Sequence, residues 1–313
     1  MSRRVLISGS VAYDTIMVFE GHFKDHILPD RVHMLNVAFL APRLKREFGG
    51  CAANIAYNLR ALGGEPVILA TVGQDGGDYL QRLRTLGVET GHVAQLPQHY
   101  TAQAFITTDL ADNQITAFHP GAMAHAHHVS ALDALPAVFG IVAPNGKDAM
   151  LRHAREFRDA GVPFVFDPGQ GLPMFDGGEL RALIDAATAV AVNDYEGRML
   201  TEKTGWSEEA IARRVQALIV TRGGEGSLVW CGGRREEVSP VPVGHAADPT
   251  GCGDAYRGGL LYGLSLGWDW VRAARLGSVM GALKIEHQGA QNHAIDRDAV
   301  AARFAGAYGE RPW

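Results

Sequence analysis

The sequence has few cysteines and no long apolar run. Its 313 residues include three cysteines, Cys51, Cys231 and Cys252. Their spacing fits neither a zinc site nor a disulfide framework, which favours a reducing compartment, and we expect a cytoplasmic protein. No segment approaches the roughly 18 consecutive apolar residues that a membrane-spanning helix requires. These shortages argue against a disulfide-stabilised secreted domain, and they predict no membrane partner.

The sequence also lacks an excess of positive charge. Lys and Arg number 29 against 34 Asp and Glu, a formal net charge of −5. That balance argues against non-specific nucleic-acid binding, so we expect no nucleic-acid partner. Hydrophobic residues are 47% and charged residues 20% of the chain, as in ordinary soluble enzymes. Without internal repeats or a low-complexity linker, we expect one domain over residues 1–313.

The most informative stretch runs from Asp248 to Ala255 and leads into a helix of small residues. Gly251 and Gly253 bracket Cys252 there, so backbone N–H groups can converge on an anion at the positive end of the helix dipole. Asp254, in the first turn, can accept a proton from an attacking hydroxyl. A base beside an anion site suggests phosphoryl transfer. The alternative is that Asp254 caps the helix and the glycines form an ordinary turn.

A second glycine-rich helix entry runs from Gly49 to Asn54. Its small side chains let a ligand approach the backbone at Gly50, and the Asn54 amide can bond sugar hydroxyls as donor or acceptor. Close packing of the helix on a sheet is the alternative. Ser10 and Asp14 follow the first predicted strand, at the edge where ligands bind in open α/β sheets. We expect these residues to share one substrate site.

Later strands also end in polar residues, and the alternation of strands and helices predicts a parallel sheet with right-handed crossovers. Asn193 and Glu196 begin a helix three residues apart, so both can face hydrated Mg²⁺ or phosphate oxygens. Glu196 as a plain helix-terminal charge is the alternative. The next strand ends at Thr221, and the loop after it contains Gly223 and Gly226. We expect this loop to contact the phosphates of a nucleotide.

Two β-prone segments, about 15–48 and 100–120, interrupt this alternation. The second reads as a hairpin that turns near Asp112. Together they predict a small separate sheet that acts as a lid over the ligand edge. Phe105 and Phe118 are its candidates for stacking on a planar ring, with packing inside the lid as the alternative.

Three motifs, in this order, resemble those of the ribokinase (PfkB) family of carbohydrate and nucleoside kinases. They are the Gly49 to Asn54 segment, the run from Asn193 to Glu196 and the Asp248 to Ala255 stretch. The resemblance covers essentially the whole chain. It implies a ribokinase-like three-layer α/β/α sandwich with a small β-sheet lid, and transfer of the γ-phosphoryl group of ATP to a hydroxyl of a sugar moiety.

The resemblance also implies roles for individual residues. Asp254 would be the catalytic base, and the amides of residues 251–253 would form the anion hole. Asp14, Gly50 and Asn54 would hold ribose hydroxyls. The other implied contacts are Mg²⁺ and phosphate at Asn193 and Glu196, ATP at Thr221, Gly223 and Gly226, and a monovalent cation, K⁺, at Asp248 and Thr250.

The substrate expected from the resemblance is a nucleoside phosphorylated at its 5′-hydroxyl, with adenosine first. Ribokinases have Lys where this chain has Cys51, which weakens a ribose assignment. Phe118 as a base-stacking residue and Gln170 near the pocket favour a nucleoside. The preference among adenosine, inosine and guanosine stays open, because one or two pocket side chains decide it.

Several alternatives stay open beside that expectation. A sugar kinase of the same family is the first, and a non-catalytic nucleoside or sugar sensor is the second. A phosphofructokinase is disfavoured, since no cationic cluster is placed for a substrate phosphate. By family analogy alone, a homodimer through the edges of the lid also remains open.

Overall fold

The computed structural model describes residues 3–27, 36–111 and 113–313. The predicted lid residues 28–35 and the predicted turn residue Asp112 lie outside the described residues. The strands, in chain order, are β1 (Arg4–Ser8), β2 (Ala12–Val18), β3 (Arg43–Gly49), β4 (Glu65–Gly73), β5 (Val93–Leu96), β6 (Ala102–Thr108), β7 (Gln114–His119), β8 (Phe139–Val142), β9 (Phe164–Phe166), β10 (Ala189–Asn193), β11 (Ala217–Thr221), β12 (Ser227–Cys231) and β13 (Arg234–Val238). The helices are α1 (Cys51–Ala61), α2 (Gly77–Thr85), α3 (Lys147–Asp159), α4 (Gly177–Ala186), α5 (Asp194–Thr204), α6 (Glu208–Ala212), α7 (Cys252–Ser265), α8 (Trp270–Ile285) and α9 (Arg297–Tyr308). Among these described helices, none is long and apolar enough to cross a membrane.

The large sheet has the strand order β13-β12-β11-β10-β9-β8-β1-β4-β5. From β11 to β5 the neighbouring strands pair in parallel. β12 and β13 pair antiparallel and form one edge. Because the parallel strands all end at the same edge, the residues that follow them come together there.

Both faces of this sheet are buried under helices. On one face, Ile7 of β1 packs with Ile55 of α1 and Leu260 of α7, and all three are fully buried. On the other face, Leu6 packs with Met150 of α3. Each such side chain contributes about 1.5–3 kcal/mol when it leaves water. This helix–sheet–helix arrangement confirms the predicted three-layer sandwich.

Helices α1, α7 and α8 lie unusually close to one another because α7 carries paired glycines. A Cβ on Gly258 would lie 2.6 Å from Cβ of Asn58 in α1. A Cβ on Gly259 would lie 2.8 Å from the carbonyl oxygen of Leu276 in α8. This packing fixes where the N-terminus of α7 meets the carboxyl edge of the large sheet.

The small sheet has the order β3-β2-β6-β7 and confirms the predicted β-sheet lid. β2 pairs in parallel with β6, and β6 pairs antiparallel with β7 in the predicted hairpin. β2 begins at Ala12, ahead of the expected lid boundary at residue 15. Only residues 9–11 separate β1 from β2, so the lid starts at the ligand edge of the large sheet.

Candidate active site

The N-terminus of α7 presents Asp254 and the glycine turn before it. Gly251 is the N-cap residue with a φ of 77°, a left-handed conformation that favours glycine. A Cβ there would lie 2.7 Å from Cβ of Ala290. The amide of Cys252 donates to the carbonyl of Pro249 at 3.2 Å, which commits one of the three predicted anion-hole amides to the turn itself. An anion site here therefore rests on the remaining amides of the turn and the first turn of α7.

Asp254 is held by a chain of hydrogen bonds. Nδ2 of Asn54 donates to Oδ2 of Asp254 at 2.8 Å, although the two residues are 200 positions apart. Nε2 of Gln291 donates to Oδ1 of Asn54 at 2.9 Å and to the hydroxyl of Tyr79 at 2.7 Å. The Tyr79 hydroxyl donates in turn to the carbonyl of Gly49 at 2.5 Å. Because Gln291 engages the oxygen of the Asn54 amide, the nitrogen of that amide faces the carboxylate.

The protonation of Asp254 follows from its surroundings. Burial raises the pKa of this carboxyl to about 7, and the Asp167 carboxylate adds to the rise. The hydrogen bond from Asn54 and the guanidinium of Arg257 lower the pKa and so oppose the shift. A base whose pKa lies near neutrality combines availability as a carboxylate with a useful affinity for the proton.

A buried ion pair lies beside Asp254. Nε of Arg257 donates to Oδ2 of Asp167 at 3.0 Å, and its Nη2 donates to Oδ1 at 3.2 Å. The two residues are 4% and 5% exposed. Burial works against the charge on Arg257, but the carboxylates of Asp167 and Glu196 hold its pKa above the usual value. The Arg257 guanidinium is therefore permanently charged and interacts with the carboxylates of both Asp167 and Glu196.

The predicted substrate residues Asp14 and Gly50 lie in β2 and at the entry to α1. Burial raises the pKa of the half-buried Asp14 to about 6, and the carboxylates of Glu47 and Asp248 add to the rise. Gly50 has a φ of 88°, and a Cβ there would lie 2.6 Å from the carbonyl oxygen of Ser10. Glycine at this position is thus required by the close approach of two backbone segments.

A cavity of about 440 Å³ opens on the other side of the α7 N-terminus. Three predicted nucleotide-binding residues line it, Thr221, Gly223 and Gly226. Cys252 and Gly253 also line it, so the cavity reaches the candidate anion site. The rest of the lining is mainly apolar, from Pro240, Val241, Pro242, Val243, Ala282 and Ile285. A cavity with an apolar interior and an anion site at its mouth suits a purine ring with phosphates attached.

Asn193 and Glu196 cap the N-terminus of α5. Oδ1 of Asn193 accepts from the amide of Glu196 at 2.8 Å, and Oε2 of Glu196 accepts from the amide of Asn193 at 2.7 Å. This is the capping box that the plain helix-terminal alternative predicts. Asn193 also pairs in register with Thr221 at the ends of β10 and β11, next to the cavity. Burial raises the pKa of Glu196.

The loop before α7 is tied to the end of α8. Oδ1 of Asp248 accepts from the amide of Thr250, and Oδ2 accepts from the amide of Gly289, both at 2.8 Å. Nζ of Lys284, a fully buried side chain of α8, donates to the carbonyl of Asp248 at 2.6 Å. Burial lowers the pKa of Lys284, and the Asp248 carboxylate acts in the opposite direction.

Comparison with known protein families decides which family this arrangement belongs to. The profile of the pfkB family carbohydrate kinases matches residues 4–297. The chain belongs to the pfkB family. The predicted ribokinase-like fold and the resemblance on which it rested are both confirmed.

Several pfkB-family proteins similar to this chain are nucleoside kinases. A Burkholderia thailandensis nucleoside kinase, solved in complex with inosine, has 52% sequence identity to this chain. The two structures superpose with a TM-score of 0.89, and the match covers 98% of this chain and 99% of the other. The same kinase in complex with ADP-inosine is 54% identical, with a TM-score of 0.87, over 98% and 97% of the two chains. A curated nucleoside kinase from Methanocaldococcus jannaschii is 28% identical over 86% of this chain and 89% of its own length.

One predicted substrate residue of this pfkB-family chain, Phe105, needs correction. Phe118 lies in one row with Ala104 and Asp14, on the lid face that carries Asp14. Phe105 follows Ala104 in β6, so its side chain lies on the opposite face of the lid. There it borders a surface hollow with Arg46 and Tyr100. The alternation of side chains across a strand therefore removes it from the site.

Ser10, another predicted substrate residue, has a contact within the protein. It is 7% exposed, and its hydroxyl oxygen accepts from the amide of Cys51 at 3.0 Å. This bond ties the N-terminus of α1 to the segment after β1. Gln170 is exposed in the turn that follows β9 at the carboxyl edge of the large sheet, and its contact with a substrate stays a prediction.

Four side chains that contact the candidate site were not predicted from the sequence: Tyr79, Asp167, Arg257 and Gln291. Arg257 follows Asp254 by three residues on α7, which places both on one helix face, and this spacing was an available signal. Asp167 ends a strand, as the other site residues do. Tyr79 and Gln291 carried no signal in the sequence, because their partners are set only by how α1, α2 and the segment after α8 pack together.

Proposed function

We propose that this chain is a nucleoside kinase that transfers the γ-phosphoryl group of ATP to the 5′-hydroxyl of a purine nucleoside. The observation that carries the proposal is the position of Asp254. Asp254 directly follows Cys252 and Gly253, which line the cavity, and it bonds Asn54 of α1, the helix that begins two residues after Gly49 at the end of lid strand β3; its pKa is about 7. The Burkholderia thailandensis kinase in complex with inosine, 52% identical, supports a nucleoside over a free sugar.

In the proposed reaction, Asp254 accepts the proton of the 5′-hydroxyl as the oxygen attacks the γ-phosphorus. The Asn54 amide holds the carboxylate in one rotation, and the amides at the N-terminus of α7 stabilise negative charge on the migrating phosphoryl group. Asp14, Gly50 and Asn54 hold the ribose, and Thr221, Gly223 and Gly226 contact ATP. Closure of the lid excludes the water that would hydrolyse ATP.

Mg²⁺ fits the residues beside the cavity. The capping box uses Oε2 of Glu196, so the second carboxylate oxygen is not committed to it. Asn193 and Glu196 would hold the ion through water, where it would neutralise charge on the phosphates of ATP.

The base specificity that we propose covers adenosine and inosine. Phe118 would stack on the base, and Gln170 would supply a hydrogen-bonding amide. Adenosine remains the first expected substrate from the resemblance, whereas the inosine complex of the Burkholderia thailandensis kinase adds inosine as an equal candidate. Such an activity would belong to purine salvage.

The test is turnover of Mg·ATP with adenosine, inosine, guanosine, cytidine, ribose and fructose 6-phosphate. We expect the purine nucleosides to give the highest kcat/KM and the phosphorylated product to be the 5′-monophosphate. Turnover of ribose or fructose 6-phosphate alone would replace this proposal by a sugar kinase. Tight nucleoside binding without any nucleoside-dependent ATP consumption would replace it by a sensor.

A sugar kinase of the same family is the second candidate. The observation that favours it is the exposure of Phe118, whose side chain is 52% exposed, so the described lid leaves the ring uncovered. A free sugar would not need this ring.

We also propose that the lid pairs with a second copy of itself. Its outer strands, β3 and β7, carry the exposed apolar side chains Leu44 and Ile115. Light scattering of the purified protein would show a dimer, and a monomer at micromolar concentration would contradict this.

A further inference from the structure

The side chain of Lys284 ends inside the loop that the family resemblance assigns to a monovalent cation. Its Nζ donates to the carbonyl of Asp248 at 2.6 Å and to the carbonyl of His287 at 3.0 Å. A third acceptor, Oδ2 of Asp248, lies 3.9 Å away. The side chain is 0% exposed. An ammonium has three donors, and here it faces three oxygen atoms.

These contacts leave the loop a poor fit for K⁺. Both carboxylate oxygens of Asp248 already accept backbone N–H groups, from Thr250 and from Gly289. The nearest positive charge is the buried ammonium itself. A potassium ion bound to Asp248 would share this carboxylate with Lys284, and two cations at such short range in a buried setting repel each other strongly. The predicted K⁺ at Asp248 and Thr250 therefore does not agree with the residues present.

The ammonium joins two backbone segments, one of which is the loop assigned to the cation. Asp248 belongs to the loop that leads into α7, and His287 follows the end of α8. The charge of Lys284 also reaches the anion-binding turn, where it acts to lower the pKa of the Cys252 thiol against the larger effect of burial. Lys284 thus supplies both a bridge between two backbone segments and a positive charge near the candidate phosphoryl site.

We propose that the Lys284 ammonium takes the place of the monovalent cation, so that this kinase works without added K⁺. Lys284 acts as a positioning residue for the anion-binding turn. The kinetic consequence rests on the proposed function, whereas the structural consequence, stability that does not respond to K⁺, is independent of it.

The first experiment uses the unaltered protein in KCl, NaCl and tetramethylammonium chloride at equal ionic strength. We expect kcat with a purine nucleoside and the Tm without substrate to be the same in all three salts, within twofold for kcat. Activation by K⁺ of tenfold or more over tetramethylammonium, or a saturable rise of Tm with K⁺ alone, would overturn the proposal. If no nucleoside is turned over in any salt, the proposed function fails and the Tm comparison still decides this inference.

The second experiment uses Lys284→Met, which keeps a long apolar stem and removes the charge. We expect its Tm and kcat to fall in tetramethylammonium chloride, kcat by tenfold or more, and both to recover partly and saturably on addition of K⁺. A folded variant that ignores K⁺ would contradict the proposal. If the variant does not fold, the salt comparison on the unaltered protein decides alone.

Lys203→Met is the matched control. Nζ of Lys203 also donates to two backbone carbonyls, those of Phe175 at 2.8 Å and Pro173 at 3.3 Å, but away from the loop before α7. This variant should stay indifferent to K⁺. A K⁺ response of Lys203→Met equal to that of Lys284→Met would mean that the effect is not specific to the loop, and would overturn the assignment.

Discussion

The region around Asp254 is buried and hydrogen-bonded, whereas the lid is largely exposed. Around Asp254, the side chains of Asn54, Gln291 and Tyr79 form a continuous hydrogen-bonded chain, and the partners Asn54 and Gln291 are 5% and 2% exposed. In the lid, Phe118 is 52% exposed and β7 has no buried residue. On the proposed function, the chemistry that needs fixed geometry would lie in the packed core, whereas the choice of nucleobase would depend on the exposed surface of the lid.

The largest effect on activity should come from replacing the proposed catalytic base, Asp254. Asp254→Asn removes the proton acceptor but keeps the shape of the side chain, so we expect kcat to fall about 10²- to 10⁴-fold or more. Nucleoside affinity should stay nearly intact, because the ribose contacts remain. Steady-state kinetics together with calorimetric titration of the nucleoside check this. Lost binding with retained turnover would contradict the role of Asp254.

A large loss of stability should follow from breaking the buried pair on the core side. Asp167→Ala leaves the Arg257 guanidinium without its partner, so we expect the free energy of unfolding to fall by about 3–5 kcal/mol. Denaturant unfolding measures it. The control is Asp185→Ala, which breaks an exposed pair with Arg214 and should cost no more than about 1 kcal/mol. Equal losses would mean that burial does not distinguish the two pairs.

The hydrogen-bonded chain behind Asp254 should set the pH dependence of the reaction. Gln291→Glu places an acceptor against Oδ1 of Asn54, so the Asn54 amide should turn its oxygen toward Asp254. The carboxylate then loses a donor that lowers its pKa, and the new charge raises that pKa further. We expect the acid limb of kcat/KM to move up by about one pH unit, with activity largely recovered at alkaline pH.

The control for that shift is Gln288→Glu, which adds the same charge three residues earlier. Gln288 is exposed and bonds the carbonyl of Ala247. Its pH profile should match that of the unaltered protein. An equal loss of activity at every pH in Gln291→Glu would contradict the role assigned to the hydrogen-bonded chain behind Asp254.

The smallest effect should come from the lid. Phe118→Ala removes the ring proposed to stack on the base, so KM for the nucleoside should rise about 3- to 10-fold while kcat changes little. Phe105→Ala is the matched control, because this ring lies on the opposite face of the same sheet. An equal rise of KM in both variants would show that the lid contributes only its overall stability.

The comparison of the two regions also explains how far the sequence could lead. Gly251, Gly253 and Asp254 form a local signal, since the N–H groups at a helix N-terminus can bind an anion whatever the rest of the fold. Asn54 was found for the same reason, but its bond to Asp254 joins residues 200 positions apart and depends on the packing of α1 against α7. Glu196 carried two compatible roles, of which the capping box is the observed one.

Two other features, the faces of the lid and the position of the Lys284 ammonium, also depend on three-dimensional packing. Phe105 and Phe118 are equally aromatic and equally β-prone, and only the register of β6 against β7 places them on opposite faces. Lys284 lies in the long helix α8, and the sequence pattern of this helix does not predict which groups its ammonium contacts. The Lys284 ammonium reaches the loop before α7 because α7 and α8 pack closely, which the glycines of α7 permit.

The most direct test of the central claim is the pH profile of kcat/KM with inosine or adenosine and saturating Mg·ATP. Because Asp254 must be a carboxylate to accept the proton and burial raises its pKa to about 7, the rate should rise with pH through an ionisation near 7. The residual activity of Asp254→Asn should lack this ionisation. A profile that is flat across neutral pH, or one that keeps the same acid limb in Asp254→Asn, would show that another group is the base.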